Sequence, residues 1–374
     1  MLYFDNSATT QFKPESVIHA IANTLRYVSA NPGRSGHSMS VKAGLLVFRA
    51  RQKLADLLGG DAARVLFTMN CTDALNLAIL GSARRGGHVV TTACEHNSVL
   101  RPLFMLQREG VLTVTVVPPD RSGLISVERL EQAIRPETYL IAAGSVGNVT
   151  GCVSPVHEIG RMCERHKLLY LCDGAQSVGY TDVNIRDSHI DMLAVAPHKG
   201  LHAAMGIGAL LISDSVRLNP IRFGGTGTMS ESVYQPDDMP EGFESGTLPL
   251  PAIAGVIAGC TWVEKNAHVF RPKISYMTDY ILDGLRQIPG VTVYTPEIHG
   301  NIAAFNVKDF QSEHVADILN SEYDIAVRSG LHCAPKMHEA LGTVSQGIVR
   351  ASVGCDNTLE ECEFLLRAVR EIAD

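Results

Sequence analysis

Several features that mark other classes of protein are missing from this sequence of 374 residues. No block of like charge stands out among its 32 basic and 39 acidic residues, which argues against a nucleic-acid footprint or a polybasic membrane patch. The nine cysteines include no C-x-x-C pair, so the sequence indicates neither a zinc ribbon nor a disulfide framework. No internal repeat or low-complexity segment is visible.

Targeting and membrane signals are also absent. The N-terminus, MLYFDNSATT, has no basic segment followed by an apolar one, so we expect no signal peptide. The most apolar stretch, residues 248–260, is too short to span a bilayer and contains two prolines. A location in the reducing cytoplasm fits these absences.

What is present is enough apolar material for a large core. Hydrophobic residues make up 45% of the chain and charged residues 19%, which excludes a disordered or fibrous protein. The length exceeds one ordinary domain and favours two or more. The composition is typical of a globular enzyme.

Helical and strand patterns alternate from residue 14 to about 215. Residues 14–28 carry apolar side chains on one helical face, and a second helix is predicted over 39–58, ending at a Gly-Gly pair. Further helices are predicted over residues 72–80, 98–108, 127–134 and 155–166. Short apolar runs predict seven strands, at residues 64–68, 88–92, 113–117, 139–145, 168–172, 191–195 and 208–212. Buried strands separated mostly by helices indicate a largely parallel sheet covered on both faces.

The pattern changes beyond residue 250. A long helix is predicted over about 251–288, followed by short strands that alternate with helices at 312–321 and 358–372. We therefore predict a large domain of residues 14–250 and a smaller α+β domain of residues 1–13 and 251–374. The connection from 224 to 250 is too long for a simple loop, which suggests a functional role.

Two predicted strands end in residues suited to cofactor chemistry. Lys199, in the segment P-H-K-G, is placed where a lysine can attach a carbonyl cofactor, although a surface lysine is the commoner case. Asp173, at the end of another strand, can keep a pyridine nitrogen protonated, although aspartate is common there. Ligands of such sheets bind at the carboxyl ends of the strands.

Two more segments follow strands. The segment F-T-M-N-C-T-D opens a helix near Thr72, and the free backbone amides at the start of this helix would suit a phosphate. The alternative is that Thr72 is an ordinary N-cap. His96 lies just past the next strand, where its ring could stack on an aromatic cofactor or be purely structural.

The C-terminal part contributes a cysteine and an arginine. Cys333 lies in a polar turn near basic groups that favour a reactive thiolate, and the alternative is a packed loop cysteine. Its spacing from His338 allows only a weak metal interpretation, and we predict no metal site. Arg350, at the end of a predicted strand, suits bidentate capture of a carboxylate, and the alternative is a surface ion pair.

Together these segments resemble the cysteine desulfurases, within the class V aminotransferase group of fold-type I pyridoxal-phosphate enzymes. The resemblance runs from D-N-S-A-T-T near residue 5 to R-A-S-V-G-C-D-N-T near 355, and rests on D-G-A-Q, H-K and R-S-G-L-H-C-A-P. The last motif is similar to the signature of the SufS-like branch.

The resemblance implies a role for each matching residue. Lys199 would hold pyridoxal phosphate and move a proton, and Asp173 and Gln176 would pair with the ring nitrogen and ring oxygen. His96 would stack on the ring and assist acid–base steps as a catalytic residue. The phosphate would be held by Cys71, Thr72 and His198, and by Thr247 from a partner subunit, which implies a homodimer. Arg350 and Asn148 would bind the substrate carboxylate, and the Cys333 thiolate would take sulfur from L-cysteine as a persulfide, leaving L-alanine.

Other activities remain open at this level. A selenocysteine lyase would use the same site with less need for Cys333, whereas class V aminotransferases lack this cysteine. A non-catalytic sulfur-relay or scaffold protein would not need the cofactor residues. The sequence departs from the family at Cys71, where a threonine is usual, and at Ala196, where a serine is usual, so cofactor affinity is expected to be altered. The sulfur acceptor, a protein or a small thiol, is not identified.

Overall fold

The computed structural model describes residues 1–32 and 35–374. Its helices and strands follow one another along the chain in a mostly alternating order. They are β1 (Leu2–Tyr3), α1 (Glu15–Tyr27), α2 (Ser38–Leu58), β2 (Val65–Thr68), α3 (Cys71–Gly81), β3 (Gly87–Thr92), α4 (Asn97–Arg108), β4 (Leu112–Val117), α5 (Val127–Gln132), β5 (Thr138–Ala142), α6 (Val156–His166), β6 (Leu169–Asp173), β7 (Met192–Val195), β8 (Gly208–Ile212), α7 (Leu250–Arg286), β9 (Val291–Val293), β10 (Ile302–Val307), α8 (Ser312–Tyr323), β11 (Ile325–Ala326), α9 (Pro335–Leu341), β12 (Val349–Ser352) and α10 (Leu359–Ala373).

The central sheet has seven strands in the order β2-β8-β7-β6-β5-β3-β4. Its neighbours are parallel except for β8, which runs antiparallel to both β2 and β7. Every residue of β5, β7 and β8 is buried, as expected for strands covered on both faces. The predicted α/β fold with a mainly parallel seven-stranded sheet is confirmed.

The helix boundaries follow local signals in the sequence. Helix α2 ends at Gly59, whose φ of 71° is a left-handed conformation that glycine adopts without strain. Helix α10 begins with a capping box, in which the Thr358 side chain accepts from the Glu361 amide and the Glu361 carboxylate accepts from the Thr358 amide. The short helix α9, which follows the Cys333 turn, was not predicted, although Pro335 at its start and the left-handed Gly342 at its end are typical helix signals.

Two small sheets lie in the C-terminal part. Strands β12, β10 and β9 form an antiparallel sheet, and β1 pairs in parallel with β11. The 37-residue helix α7, about 55 Å long at 1.5 Å per residue, contacts α1 and α2 as well as β9, β10 and α10. Helix α7 begins at Leu250, where the boundary between the two domains is predicted, and it contacts elements on both sides of that boundary. The division into two domains stays a prediction. Within the described residues, no helix is long and apolar enough to cross a membrane.

Candidate active site

A pocket with a cavity volume of about 140 Å³ lies at the carboxyl ends of β3, β5, β6 and β7. Parallel strands bring these ends to one edge of the sheet, so segments far apart in the sequence meet there. Of the sequence-predicted residues, the pocket is lined by Cys71, Thr72, His96, Asn148, Asp173, Gln176, His198 and Lys199. Thr247, Cys333 and Arg350 are not among its lining residues.

Lys199 and Asp173 lie on neighbouring strand ends. Asp173 ends β6, and Lys199 follows β7 by four residues in a turn in which the Lys199 amide donates to the Ala196 carbonyl. Burial lowers the pKa of Lys199 below its usual value, while the Asp173 carboxylate acts in the opposite direction. The surface-lysine interpretation is therefore wrong, and the amine is disposed to be an uncharged nucleophile.

The first turn of α3 supplies unpaired backbone amides. Asn70 is the N-cap, because its side chain accepts from the Asp73 amide, so the interpretation of Thr72 as the N-cap is wrong. The first amide of this helix to bond a helix carbonyl is that of Ala74, which leaves those of Cys71 and Thr72 available to an anion. The Cys71 Sγ lies 3.8 Å from an Asp173 carboxylate oxygen, and burial raises the pKa of Cys71.

His96 has a structural role and also lines the pocket. It is the N-cap of α4, with Nδ1 accepting from the Ser98 amide at 3.1 Å. Burial lowers the pKa of His96, so the ring is neutral and carries its proton on Nε2. The Ser98 hydroxyl in turn lies 2.7 Å from that of Thr72, which links the starts of α3 and α4.

Gln176 and His198 are fixed by the N-terminal segment. The Gln176 Nε2 donates to the Ser7 carbonyl at 3.0 Å, and the buried Gln176 Oε1 has no partner. A hydroxyl group of a bound molecule can donate to this oxygen. The His198 Nδ1 lies 3.1 Å from the Thr9 hydroxyl, and burial lowers the pKa of His198 to about 4. His198 is therefore neutral at physiological pH.

Cys333 is the exposed cysteine of a short docked turn. Its carbonyl accepts from the Asn97 amide at 2.6 Å, and the His332 carbonyl accepts from the Asn148 side chain at 2.7 Å. Both His332 and Cys333 have left-handed backbones, with φ of 48° and 57°. Burial lowers the pKa of His332 to about 3, so this ring is neutral at physiological pH. The packed-cysteine alternative does not fit this exposure.

Arg350 is fully buried in a network. It donates to the Asn148 carbonyl at 2.8 Å and forms an ion pair with Asp5 at 2.9 Å, while its Nε has no partner. Arg350 therefore forms an ion pair, but a buried one, so the surface-ion-pair interpretation is wrong. Arg350 links the N-terminal segment at Asp5 to the turn that contains Asn148.

Thr247 is exposed in the connection between β8 and α7. It is placed where another molecule can reach it, and its predicted phosphate contact across a dimer stays a prediction. No group of three or more potential metal ligands occurs among residues 1–32 and 35–374, and the buried His338 bonds Thr343 at 2.8 Å.

Sequence reasoning missed Glu95, which precedes His96 and lines the pocket. Its carboxyl group accepts hydrogen bonds from the Thr92 hydroxyl at 2.7 Å and from the Gly144 amide at 3.0 Å. Burial raises the pKa of Glu95 to about 8, and the nearby Asp173 acts in the same direction. Its position beside His96 was a usable signal, but its complete burial was not visible in the sequence.

The raised pKa of Glu95 predicts a pH-dependent stability. Because the folded state keeps this proton up to about pH 8 and the unfolded state loses it near pH 4.5, the contribution is complete below 4.5 and disappears as pH rises through 8. We expect the unfolding free energy of the wild type to fall by on the order of 4 kcal/mol across this range because of Glu95. Glu95→Gln should abolish this fall. Urea unfolding of both proteins at pH 5 and pH 8 measures it, and identical pH dependence would contradict it.

Comparisons with known proteins agree with this architecture. Residues 2–365 match the family model of the aminotransferase class-V proteins. A probable cysteine desulfurase of Methanothermobacter thermautotrophicus is 33% identical, over 100% of this chain and 94% of its own. The cysteine desulfurase IscS of Glaesserella parasuis is 31% identical, over 99% of this chain and 92% of its own. The apo structure of a cysteine desulfurase from Thermococcus onnurineus NA1 superposes with a TM-score of 0.92 at 31% identity, over 100% of this chain and 94% of that one.

The chain therefore belongs to the aminotransferase class-V family. The three similar proteins named above are all cysteine desulfurases, which confirms the resemblance carried by the motifs and the fold-type I architecture it implied. The assignment to the SufS-like branch stays a prediction.

Proposed function

We propose that the protein is a cysteine desulfurase that binds pyridoxal phosphate in the pocket, converts L-cysteine to L-alanine and receives the sulfur on Cys333. One observation carries the proposal. The buried Lys199, whose pKa is lowered, lies beside Asp173, and the exposed Cys333 is held next to His96. The relatives named cysteine desulfurase support it along the whole chain.

The residues of the pocket fit pyridoxal phosphate. The free amides of Cys71 and Thr72 suit its phosphate, the Asp173 carboxylate suits its pyridinium nitrogen, and the unpartnered Gln176 Oε1 suits a ring hydroxyl. When bound, the cofactor withdraws electrons from the substrate Cα. The thiol of Cys71 donates toward Asp173, so this departure from the family adds a contact to that carboxylate.

The residues of the chain divide the remaining tasks. Burial lowers the pKa of Lys199 and so favours its uncharged amine, which accepts the Cα proton at Nζ and returns it. The free Nε of Arg350 and the Asn148 side chain orient the substrate carboxylate. The neutral His96 offers its Nε2 proton inside the pocket. Because Cys333 is exposed, its thiolate can attack the substrate sulfur, and the resulting persulfide stays accessible to an acceptor thiol.

The test is alanine release from L-cysteine in the presence of a thiol reductant. We expect Cys333→Ala to lose at least about 100-fold in rate, while Cys355→Ala, a partly buried cysteine outside the pocket, retains wild-type activity. Activity that survives Cys333→Ala, or that appears only with L-selenocysteine, would reassign the protein as a selenocysteine lyase. No alanine from either substrate would contradict the proposal and favour an aminotransferase.

We also propose that the active form is a homodimer. Helix α2 exposes Val41, Leu45 and Phe48, which share one helical face, and the connection after β8 exposes Val233 and Tyr234, 92% and 82% accessible. We propose that a second copy covers these side chains and that each copy contributes its Thr247 to the phosphate site of the other. Sedimentation equilibrium is expected to give twice the chain mass of 40.4 kDa, and a monomer mass with full activity would contradict this. The nine unpaired cysteines suit the reducing cytoplasm we propose as its location.

A further inference from the structure

Two thiols that the proposed reaction does not use are in contact beside the pocket. The Sγ atoms of Cys94 and Cys152 are 3.7 Å apart, and the Cys94 Sγ is also 3.7 Å from the Met337 sulfur. Both cysteines are buried, but Cys94 lines the pocket, so a small molecule that enters the pocket reaches Cys94, whose sulfur contacts that of Cys152. Closing a disulfide would require the sulfurs to approach by roughly 1.7 Å, to the usual bond length of about 2.05 Å.

The two cysteines lie in the segments that hold the Cys333 turn. Cys94 is three residues before Asn97, whose amide bonds the Cys333 carbonyl. Cys152 closes the turn that presents Asn148, whose side chain bonds the His332 carbonyl. A covalent link between the two thiols would therefore pull on both anchors of that turn, and on His96 between them.

We propose that Cys94 and Cys152 form a peroxide-sensitive dithiol whose oxidation to a disulfide switches off the active site. The inhibition rests on the proposed desulfurase function, whereas the disulfide itself does not. The site takes hydrogen peroxide or another small hydroperoxide.

The chemistry balances with one peroxide. The Cys152 thiolate attacks a peroxide oxygen, the O–O bond breaks, and the sulfur becomes a sulfenic acid while the leaving hydroxide takes a proton to form water. The Cys94 sulfur then attacks that sulfur, the S–O bond breaks, and a second water leaves. The net result is one disulfide and two waters from two thiols and one peroxide.

The local environment favours Cys152 as the first thiol to react. Its contact with Cys94 lowers the pKa of Cys152, and the same contact raises the pKa of Cys94. The facing titratable groups are Glu95, which is neutral below about pH 8, and Asp173 beyond it. The Cys152 sulfur lies against Gly147, where a Cβ would be only 2.7 Å from it, so a glycine at this position is what admits the sulfur beside Cys94.

The experiment treats the holoenzyme with hydrogen peroxide, removes the peroxide with catalase, blocks free thiols after denaturation and identifies cross-linked peptides by mass spectrometry. We expect a Cys94–Cys152 peptide in the wild type and equally in Cys333→Ala, which shows that the disulfide forms whether or not Cys333 is catalytic. We expect the wild type to lose alanine-forming activity about tenfold faster than Cys152→Ala or Cys94→Ala, and dithiothreitol to restore it.

Each other outcome has a definite meaning. If the cross-link is absent at a peroxide dose that fully oxidises the exposed Cys333, the dithiol proposal is overturned. If the cross-link forms but wild type and Cys152→Ala lose activity at equal rates, oxidation of Cys333 accounts for the loss and the switch is overturned. If the untreated wild type releases no alanine while the cross-link still forms, the proposed function fails and the peroxide-sensitive pair stands.

Discussion

Replacing Lys199 by alanine is expected to reduce alanine release from L-cysteine by a factor on the order of 10⁴ or more, without unfolding the protein. The amine is the proposed attachment point of the cofactor and the group that moves the Cα proton, so no other side chain of the pocket replaces it. Burial lowers the pKa of Lys199, which shows that folding removes this amine from water at a cost in free energy. The cofactor-free variant should therefore be at least as stable toward heat as the cofactor-free wild type.

The measurement combines three readouts, of which the melting temperature is taken on the cofactor-free proteins. Alanine release gives the rate, visible absorbance after incubation with pyridoxal phosphate and dialysis gives cofactor retention, and circular dichroism gives the melting temperature. Lys265→Ala, which removes an exposed lysine of α7, is the matched control and should leave all three unchanged. A Lys199→Ala protein that keeps its rate within tenfold would remove Lys199 from the mechanism.

Replacing Arg350 by leucine is expected to have the largest effect on stability. The guanidinium is fully buried and bonds both Asp5 and the Asn148 carbonyl, so its removal leaves a carboxylate and a carbonyl without their partner. Breaking a buried ion pair from one side costs about 3 to 5 kcal/mol. The urea midpoint of the cofactor-free protein measures this loss. Arg286→Leu, which breaks an exposed ion pair with Asp283, should change the unfolding free energy by less than about 1 kcal/mol.

A double variant separates the ion pair from other effects of Arg350. When Asp5→Ala is combined with Arg350→Leu, the total loss should be smaller than the sum of the single losses by about 1 kcal/mol or more, because the second substitution removes a charge that the first left unpaired. Strict additivity would show that Asp5 does not hold the guanidinium. Under native conditions, Asp5→Ala should raise KM for L-cysteine more than it changes kcat. Without Asp5, the side chain of Arg350 is held less firmly in the position proposed for binding the substrate carboxylate.

The alternation of helices and strands could be predicted because it depends on local patterns. Apolar runs of strand length predicted all seven strands of the main sheet, within a few residues of their observed ends. The short pairing of β1 with β11 was missed, since strands of two residues carry no periodicity. The strand order and the antiparallel direction of β8 were beyond local patterns, because strand neighbours are selected by packing across the whole sheet.

The candidate site divides in the same way. The residue types that the proposed chemistry requires were readable from motifs, so Lys199, Asp173 and His96 could be named from the sequence alone. Their meeting in one pocket depends on parallel strands that place distant segments at a common edge. The neutral state of Glu95 was not readable, because it follows from burial.

By itself, the sequence determined the class of the fold, the family and the chemical groups available for the reaction, because each of these depends on local sequence patterns or on residue type. Only the tertiary structure decided which groups are charged and which touch. It places Asp5 on Arg350 across 345 residues of chain and Cys94 on Cys152 across 58. Such contacts and the desolvation that shifts each pKa arise when the chain packs around one core, and no short stretch of sequence contains them.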